Sequence, residues 1–327
     1  MEESLKKKGI SWRPDPAGLQ LLILDASYIE LCMKMYDWAK YTTTKGAVKL
    51  HTVTDGYLPV LTVITDGKAA DVTVAERMMD CEAARRREQA GGGADALIVE
   101  GEDEFAPSFR QSGFPKGSVV VMDRGYVKYS LFKTMEDLGL YFVTRAKVQM
   151  SYVVKEVRPL PENAEPSDPK AAVVTRDEII RLAAPKANAA FDGDLRLVTA
   201  HDPAGGRTFQ FLTNLMKPEA HVISAVYKAR WQIESFFKQL KNFTRIKSFF
   251  GTSENAVRTQ IFACLIASLL FKYIKLIAAV AWDYSTLRDV VRFSMFQYWD
   301  LIELVNNPTR LPRPPTPGIP ASAVFSV

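Results

Sequence analysis

The segment that most constrains the fold is a strand–helix–strand pattern in the first half of the chain. The apolar run GSVVVMD (117–123) is typical of a buried strand and ends on a carboxylate. A helical segment over 130–138 follows, Gly139 is suited to cap it, and LYFVTRA (140–146) is a second strand-like run. Two strands joined through a helix lie parallel in one sheet, with the helix on a face of that sheet. The sequence therefore predicts an α/β domain.

Three strand-like runs precede this unit. LQLLILDAS (19–27) is largely apolar and carries Asp25 near its end. KLHTVTD (49–55) and LPVLTVITD (58–66) flank an Asp–Gly turn signal, so these two runs should pair as a hairpin. Residues 70–87 have helical composition. The predicted element order of this half is β-β-β-α-β-α-β.

The second half of the chain has a different pattern. Four short β-type runs between 148 and 222, interrupted by a proline-rich stretch (159–169), predict a β-rich insertion. Helices are predicted over 222–242, 253–280 and 284–304. The predicted organisation begins with an N-terminal arm (1–18) and the first half of a core (19–147), which contains a Gly-rich acidic loop at 88–117. The β-rich insertion (148–222), a helical second half of the core (223–305) and a proline-rich tail (306–327) follow.

Composition limits the kind of protein this chain can be. It is 47% hydrophobic and 24% charged, as expected of a globular protein. The three cysteines and three histidines lack the spacing of a disulfide framework, a zinc site or a catalytic triad, and no triphosphate-binding loop is present. The apolar run 261–282 carries two lysines, which favours a buried amphipathic helix over a membrane span. No signal peptide is predicted. The lysines of 261–282 and the missing triphosphate-binding loop lead us to expect neither a membrane partner nor a nucleotide cofactor.

Positive charge is concentrated late in the chain. Between Ile223 and Lys275, nine Lys or Arg residues stand against two acids, a formal +7, whereas the whole chain carries only +5. The remainder of the chain is therefore slightly acidic. Such a distribution indicates an anionic partner for the basic segment.

Two carboxylates follow apolar strand-like runs. A carboxylate at a strand end is usually a turn or helix cap, which is the plainer interpretation of Asp25 and Asp123. If the two strands lie side by side, however, both carboxylates emerge at one edge of the sheet and repel each other unless a cation lies between them. Mg²⁺ suits such a site, and a pair of these ions is the usual arrangement for displacement at a phosphodiester.

A third carboxylate lies on a helix with two distinct faces. With about 100° per residue from Tyr227, an arc of roughly 80° contains Arg230, Glu234, Lys238 and Lys241. A separate stripe is apolar and predicted to face the core: Val226, Ile233, Phe236, Phe237 and Leu240. A single acid among cations can bind a metal while its neighbours neutralise phosphates. Trp231 lies at the border of the charged arc and is the one aromatic residue of the segment placed to touch DNA.

The spacing Tyr227-(2)-Arg230-(3)-Glu234-(6)-Lys241 resembles the Y-(2)-R-(3)-E-(6)-K signature of the insertion-sequence-4 (IS4) family of transposases. Several short segments add to the resemblance, which covers roughly residues 20–280: LDAS (24–27), KGAVKLH (45–51), MDRGY (122–126), FVTRAK (142–147) and LTN (212–214).

The resemblance implies an RNase H-like mixed-sheet core, interrupted by a β-rich insertion and followed by a helical part. It implies that Asp25, Asp123 and Glu234 bind two Mg²⁺ ions, with Mn²⁺ able to substitute. A metal-activated water would cut at the element's end, and the freed 3′-OH would attack target DNA. Phosphates of the terminus would be held by Tyr227, Arg230 and Lys241. Geometry adds Lys238 and Trp231 as DNA contacts, and Arg145 and Lys147 line the DNA path or serve as plain surface.

The partners expected from the resemblance are double-stranded DNA, as terminal inverted repeats and as target, and a second copy of the chain in the DNA complex. The expected location is the nucleoid of a bacterial cytoplasm. Two alternatives stay open. Only 24 residues precede Asp25, where family members usually carry a helical region, so one alternative is a truncated, non-catalytic regulator of transposition. The other is an RNase H-like nuclease without strand transfer, against which the Tyr/Arg/Lys spacing argues.

Overall fold

The computed structural model describes residues 18–39, 41–42, 45–90, 113–160, 172–203, 205–243, 249–294 and 300–307. Most of the predicted arm, loop, proline-rich stretch and tail lies outside these ranges. The chain divides into a larger unit, residues 12–238 with 252–254, and a smaller unit that contains 239–251 and 255–327.

A mixed sheet is the frame of the larger unit. Within the described residues its strands are β1 (Leu21–Leu31), β2 (Gly46–Thr54), β3 (Pro59–Asp66), β4 (Val119–Met122), β5 (Tyr141–Arg145), β6 (Tyr152–Val157), β7 (Val173–Leu182), β8 (Leu195–Asp202) and β9 (Arg207–Thr213). They are ordered β3-β2-β1-β4-β5-β9-β8-β7-β6. The pairs β1–β4 and β4–β5 are parallel and the other neighbours are antiparallel. The predicted hairpin and strand–helix–strand unit are both present.

Helices cover the sheet and form the smaller unit. Those of the larger unit are α1 (Asp71–Gln89), α2 (Tyr129–Asp137), α3 (Pro185–Ala190) and α4 (Ala220–Lys228). Helix α5 (Trp231–Phe243) begins in the larger unit and ends in the smaller one. The smaller unit contains α6 (Glu254–Ile277) except for its first residue, together with α7 (Tyr284–Ser294) and α8 (Leu301–Asn306).

Strands β1 and β4 are apolar throughout their parallel pairing because both of their faces are covered. Leu22 and Leu24 of β1 join a core formed with α1 and α2. Side chains alternate along a strand, so Ile23 and Val121, which are fully buried, face the opposite side. Helix α4 packs against β4 and β5. This alternation assigns every second residue of β1 to the side of α4.

The predicted β-rich insertion continues the core sheet. Strands β6 to β9 form its second half, and β9 pairs with β5 through Val143 and Thr213. At the end of this pairing the Asn214 side chain accepts a hydrogen bond from the amide of Phe142 and donates one to the carbonyl of Leu140. The amide side chain thus extends the ladder by one step. The domain boundaries inferred from the sequence stay predictions.

Strand β1 differs from the sequence prediction. It runs to Leu31, so Asp25 lies in the middle of the strand and not near its end. The parallel partner β4 ends at Met122, whereas β2 accompanies β1 as far as Leu31. The apolar run of β1 stops at Leu24, and beyond that residue β1 stays a strand because it pairs with β2 of the β2–β3 hairpin.

The predicted helix over 222–242 is two helices, α4 and α5. At the junction the amide of Arg230 donates to the carbonyl of Tyr227, and the amide of Ile233 donates to that of Arg230. These bonds span three residues and tighten the helical path, as is common at helix ends. The segment predicted as one helix over 284–304 comprises α7 and α8, with 295–299 outside the described residues.

Helix α6 is the element that the sequence predicts to be a buried amphipathic helix. Of the described helices, it alone is long and apolar enough to cross a membrane by length and composition. Val257, Ile261 and Leu265 on one face are buried, while three apolar residues of another face are exposed: Phe262, Ile266 and Leu270. Burial is therefore confined to one face of α6.

Candidate active site

The first two predicted acids each follow directly on a residue of the β1–β4 pair. Strands β1 and β4 are parallel, with Leu24 opposite Met122, so the next residue of each chain segment is Asp25 and Asp123. Both acids have the parity of Ile23 and Val121, which places their side chains on the side of α4. The two aspartates thus converge at the edge where β4 ends, although β1 itself continues past Asp25 to Leu31.

Each aspartate is held by local backbone hydrogen bonds. The Oδ1 atom of Asp25 accepts from the amide of Ala26 at 2.8 Å. The Oδ1 atom of Asp123 accepts from the amide of Gly125 at 2.7 Å and caps the short 3-10 turn Arg124–Tyr126. A Cβ atom at Gly125 would approach that oxygen to 3.0 Å, which makes Gly the best fit there. Asp123 is therefore a turn cap, as the plainer interpretation proposes, and the cap uses one carboxylate oxygen.

The third acid, Glu234, is connected to Asp25 through Arg230. Arg230 Nη1 donates to Asp25 Oδ2 at 2.9 Å, and Nη2 donates to Glu234 Oε1 at 2.5 Å. The Arg230 side chain is only 14% exposed, against 18% for Asp25 and 37% for Glu234. The tight turn between α4 and α5 presents Arg230 toward β1, and Glu234 follows it on the first turn of α5.

Negative charge accumulates at this edge of the sheet. Burial raises the pKa of Asp25 to about 6, the Ala26 amide and Arg230 oppose that rise, and Asp123 and Glu234 add to it. Burial likewise raises the pKa of Tyr126, and nearby carboxylates, including Asp25 and Asp123, raise it further. The Tyr126 hydroxyl is buried and has no hydrogen-bond partner among the described residues. A cation bound here would relieve the repulsion that Asp25 experiences.

The donor set fits a divalent cation. Carboxylate oxygens are the protein ligands that Mg²⁺ prefers, and the positive charge between Asp25 and Glu234 is supplied by Arg230. In the part of the chain that the structure describes, no three His, Cys, Asp or Glu side chains are grouped closely enough to bind one ion as they stand. Asp25, Asp123 and Glu234 thus provide carboxylate ligands of the kind that a divalent cation prefers. In this structure two of them, Asp25 and Glu234, are hydrogen-bonded to the Arg230 guanidinium.

Comparison with known proteins identifies the family. Residues 16–270 match the family model described as "Transposase DDE domain". The chain belongs to the DDE-domain transposase family. The predicted IS4 resemblance and the RNase H-like α/β fold are thereby confirmed. The DDE domain generally uses divalent metal ions.

Three relatives carry transposase names. The protein y4zB of Sinorhizobium fredii is 27% identical over 290 residues, which are 88% of this chain and 70% of the relative. A protein of Geobacillus stearothermophilus, named for insertion sequence element IS5377, is 24% identical over 78% of this chain and 56% of its own length. A protein of Synechocystis named for element IS4SA is 25% identical over 48% of this chain and 41% of its own length.

Three predicted DNA-contacting residues of this DDE-domain chain lie beside the acids: Tyr227, Arg230 and Arg145. The Tyr227 ring packs on Phe211 with centroids 4.9 Å apart, and the Arg230 guanidinium carbon is 5.9 Å from the Tyr227 ring centroid. The pKa of Tyr227 is raised by burial, opposed by Arg230 and Arg145, and raised slightly by Asp123. Arg145 lies over the Phe209 ring at 4.7 Å. Tyr227, Arg145 and the acids therefore share one side of the sheet.

The other predicted contacts lie further from the acids or apart from them. Trp231 is 64% exposed and Lys238 is exposed on α5, while the apolar stripe of that helix is buried as predicted. Lys147 is exposed in the turn after β5. Lys241 is half-buried and belongs to the smaller unit, so its relation to the acids stays a prediction.

Sequence reasoning missed two residues that shape the site. Tyr126 belongs to the MDRGY segment, which drew attention only through Asp123. Arg196 is fully buried on β8, where its guanidinium binds the residues that lead into α4 by donating to the carbonyls of Leu215, Met216 and Pro218. An Arg inside the apolar run LRLVTA was the available signal, because a charge in such a strand requires a buried partner.

Proposed function

We propose that the chain is an active transposase that cuts DNA at insertion-sequence ends and joins the 3′-OH to target DNA, in a cut-and-paste reaction. The observation that carries the proposal is the placement of Asp25 and Asp123 directly after the paired Leu24 and Met122, together with the connection of Glu234 to Asp25 through Arg230. Membership in the DDE-domain family supports the same assignment.

Asp25, Asp123 and Glu234 are the residues that would hold two Mg²⁺ ions, or Mn²⁺ in their place. When bound, such ions supply Lewis-acid stabilisation of the charge that develops on a phosphodiester. The Gly125 amide fixes one oxygen of Asp123, and the Ala26 amide fixes one oxygen of Asp25, so each carboxylate is oriented before any ligand arrives. This orientation lowers the entropy lost when a phosphodiester is aligned.

The cationic and aromatic side chains beside the acids would bind the DNA. Arg230 and Arg145 present guanidinium groups, which match phosphate geometry better than an ammonium does. Trp231 and Lys238 extend this surface along the exposed side of α5. Tyr227, Lys241 and Lys147 complete the proposed set of contacts. The proposed partners are the terminal inverted repeats and target DNA, with a second copy of the chain in the complex, in the bacterial cytoplasm.

The proposal is tested by cleavage of labelled duplex DNA that carries the inverted repeats of the chain's own element. Glu234→Gln, Asp25→Asn and Asp123→Asn should each reduce Mg²⁺-dependent cleavage by more than about 100-fold, because even residues that only support metal ligands cost 10- to 100-fold. Asp66→Asn is the matched control, since Asp66 caps a turn through the amides of Lys68 and Ala69. Undiminished cleavage by Glu234→Gln would refute the assignment.

Strand transfer is tested separately with a pre-cut substrate that ends in a 3′-OH. The wild-type chain should join this end to a target plasmid, and the three acid variants should not. Cleavage without joining would instead identify a nuclease without strand transfer. Absence of both reactions, with DNA binding retained, would identify a regulator.

A further inference from the structure

Arg230 lies between two of the three proposed metal ligands, Asp25 and Glu234. One arm of its guanidinium binds Asp25 Oδ2 and the other binds Glu234 Oε1, at 2.9 and 2.5 Å. The group is largely buried, and its Nε atom has no hydrogen-bond partner among the described residues. The third N–H direction of the guanidinium is therefore not satisfied by this arrangement. Besides its bonds to the two acids, Arg230 interacts with the Tyr227 side chain, and the Nε atom stays without a partner among the described residues.

The same carboxylate oxygens are required by two different cations. A guanidinium is charged at every accessible pH, so Arg230 offsets part of the negative charge of Asp25 and Glu234 whenever it lies between them. A divalent cation ligated by Asp25 Oδ2 and Glu234 Oε1 needs the lone pairs that receive the Arg230 hydrogen bonds. Occupation by Arg230 and occupation by a divalent cation therefore compete.

We propose that Arg230 is a resident counter-ion that excludes divalent cations until DNA phosphate draws it away. The inference rests on the proposed function, in which the three acids hold the metal ions. Guanidinium binds phosphate and carboxylate with the same paired geometry, so a DNA backbone offers Arg230 an equivalent partner. When Arg230 pairs with phosphate, the two carboxylates become available.

Because Arg230 moves from the carboxylates to phosphate, DNA binding and divalent-cation binding strengthen each other. If DNA raises the affinity for the divalent cation by some factor, the cation raises the affinity for DNA by the same factor. In the absence of DNA, Asp25 and Glu234 stay hydrogen-bonded to Arg230, and metal binding is weak. Arg230 thus couples metal loading to DNA binding.

The test is calorimetric titration of the full chain with Mn²⁺ alone. Arg230→Gln should bind Mn²⁺ roughly 10- to 100-fold more tightly than the wild type, because it removes hydrogen bonds to charged groups that compete with the metal. Arg181→Gln is the matched control: Arg181 is exposed and pairs with Asp194 on the β-rich part of the sheet, so its loss removes the same charge and should not alter Mn²⁺ affinity. Arg230→Lys, which cannot span both carboxylates, should lie between the wild type and Arg230→Gln.

A second titration adds a duplex oligonucleotide that carries an inverted repeat. DNA should tighten Mn²⁺ binding to the wild type and to Arg181→Gln, and it should have much less effect on Arg230→Gln. Equal or weaker Mn²⁺ binding by both folded Arg230 variants would overturn the inference, since Arg230 would then support the metal site. If Asp25→Asn binds Mn²⁺ as well as the wild type, the proposed metal ligands themselves are wrong, which is a separate result.

Discussion

The buried Arg196–Asp177 pair connects the sheet to the segment that carries Arg230. Arg196 Nε and Nη2 donate to the two carboxylate oxygens of Asp177 at 2.8 and 2.7 Å. Its Nη1 atom donates to three carbonyls of the loop before α4, the shortest distance being 2.6 Å to Pro218. Both side chains are at most 5% exposed. Arg196→Met would remove every one of these hydrogen bonds and retain most of the side-chain volume.

The expected loss of unfolding free energy is about 3–5 kcal/mol, the range for removing one partner of a buried ion pair. Asp177 would be left with Arg158, whose Nη1 is 3.9 Å away, as a weak substitute. Arg181→Met is the matched control, because the Arg181–Asp194 pair is exposed and pairs of that kind contribute only about 0–1 kcal/mol. The double variant Arg196→Met with Asp177→Leu should recover most of the loss, since no buried charge then lacks a partner.

Urea denaturation followed by circular dichroism measures these differences through the transition midpoint at constant slope. A stabilising role of the ion pair is excluded if Arg196→Met and Arg181→Met differ by less than about 1 kcal/mol, or if the double variant is less stable than Arg196→Met. Either result would mean that packing, and not the ion pair, holds the loop before α4.

Three further predictions concern stability and DNA binding. Burial and Lys49 lower the pKa of His51 to about 3, and Asp71, 3.4 Å away, is already paired with Lys49. The unfolded chain therefore binds a proton at His51 below pH 6.5 that the folded chain does not bind. The unfolding free energy should consequently fall by about 2 kcal/mol between pH 7.5 and pH 5. His51→Gln should remove this component of the pH dependence in melts measured across that range. Gly139 has φ +64°, so Gly139→Ala should lower unfolding free energy by about 1 kcal/mol in urea melts, and no loss would contradict the capping role. When the logarithm of the affinity for duplex DNA is plotted against the logarithm of the salt concentration, Lys238→Ala should reduce the slope by about 0.9. Lys155→Ala, on β6, should leave the slope unchanged. Equal slopes for the two variants would exclude Lys238 from the DNA surface.

Local signals predicted most of the elements. Gly139 adopts the left-handed conformation that its position after a helical segment suggests, and the Asp–Gly signal at 55–56 does form the β2–β3 turn. The apolar stripe of α5 is buried while Trp231 and Lys238 are exposed, because a 3.6-residue period is sufficient to sort its faces. The junction at Arg230 was not predicted, since a turn with three-residue hydrogen bonds keeps nearly the same helical periodicity.

Charged residues caused the larger errors in the strands. The sequence predicts only short β-type runs between 148 and 222, whereas β7 continues through its charged residues to Leu182. Asp177 and Glu178 are buried within it, and Asp177 finds its partner 19 residues later in Arg196. A pattern of hydrophobicity cannot recognise a buried carboxylate whose partner lies on another strand.

The sequence by itself determined the family, the alternation of strands and helices, and the identity of the three acids as candidates, because these depend on local periodicity and on residue spacing. Only the tertiary structure decided that Leu24 lies opposite Met122, which brings Asp25 beside Asp123, and that the predicted insertion extends the core sheet. It also decided the partner of Arg230. The resemblance implies phosphate contact for Arg230, whereas its guanidinium binds a carboxylate of β1 that is 205 residues away in the chain. Contacts at that separation depend on how the strands and helices pack, which no local pattern records.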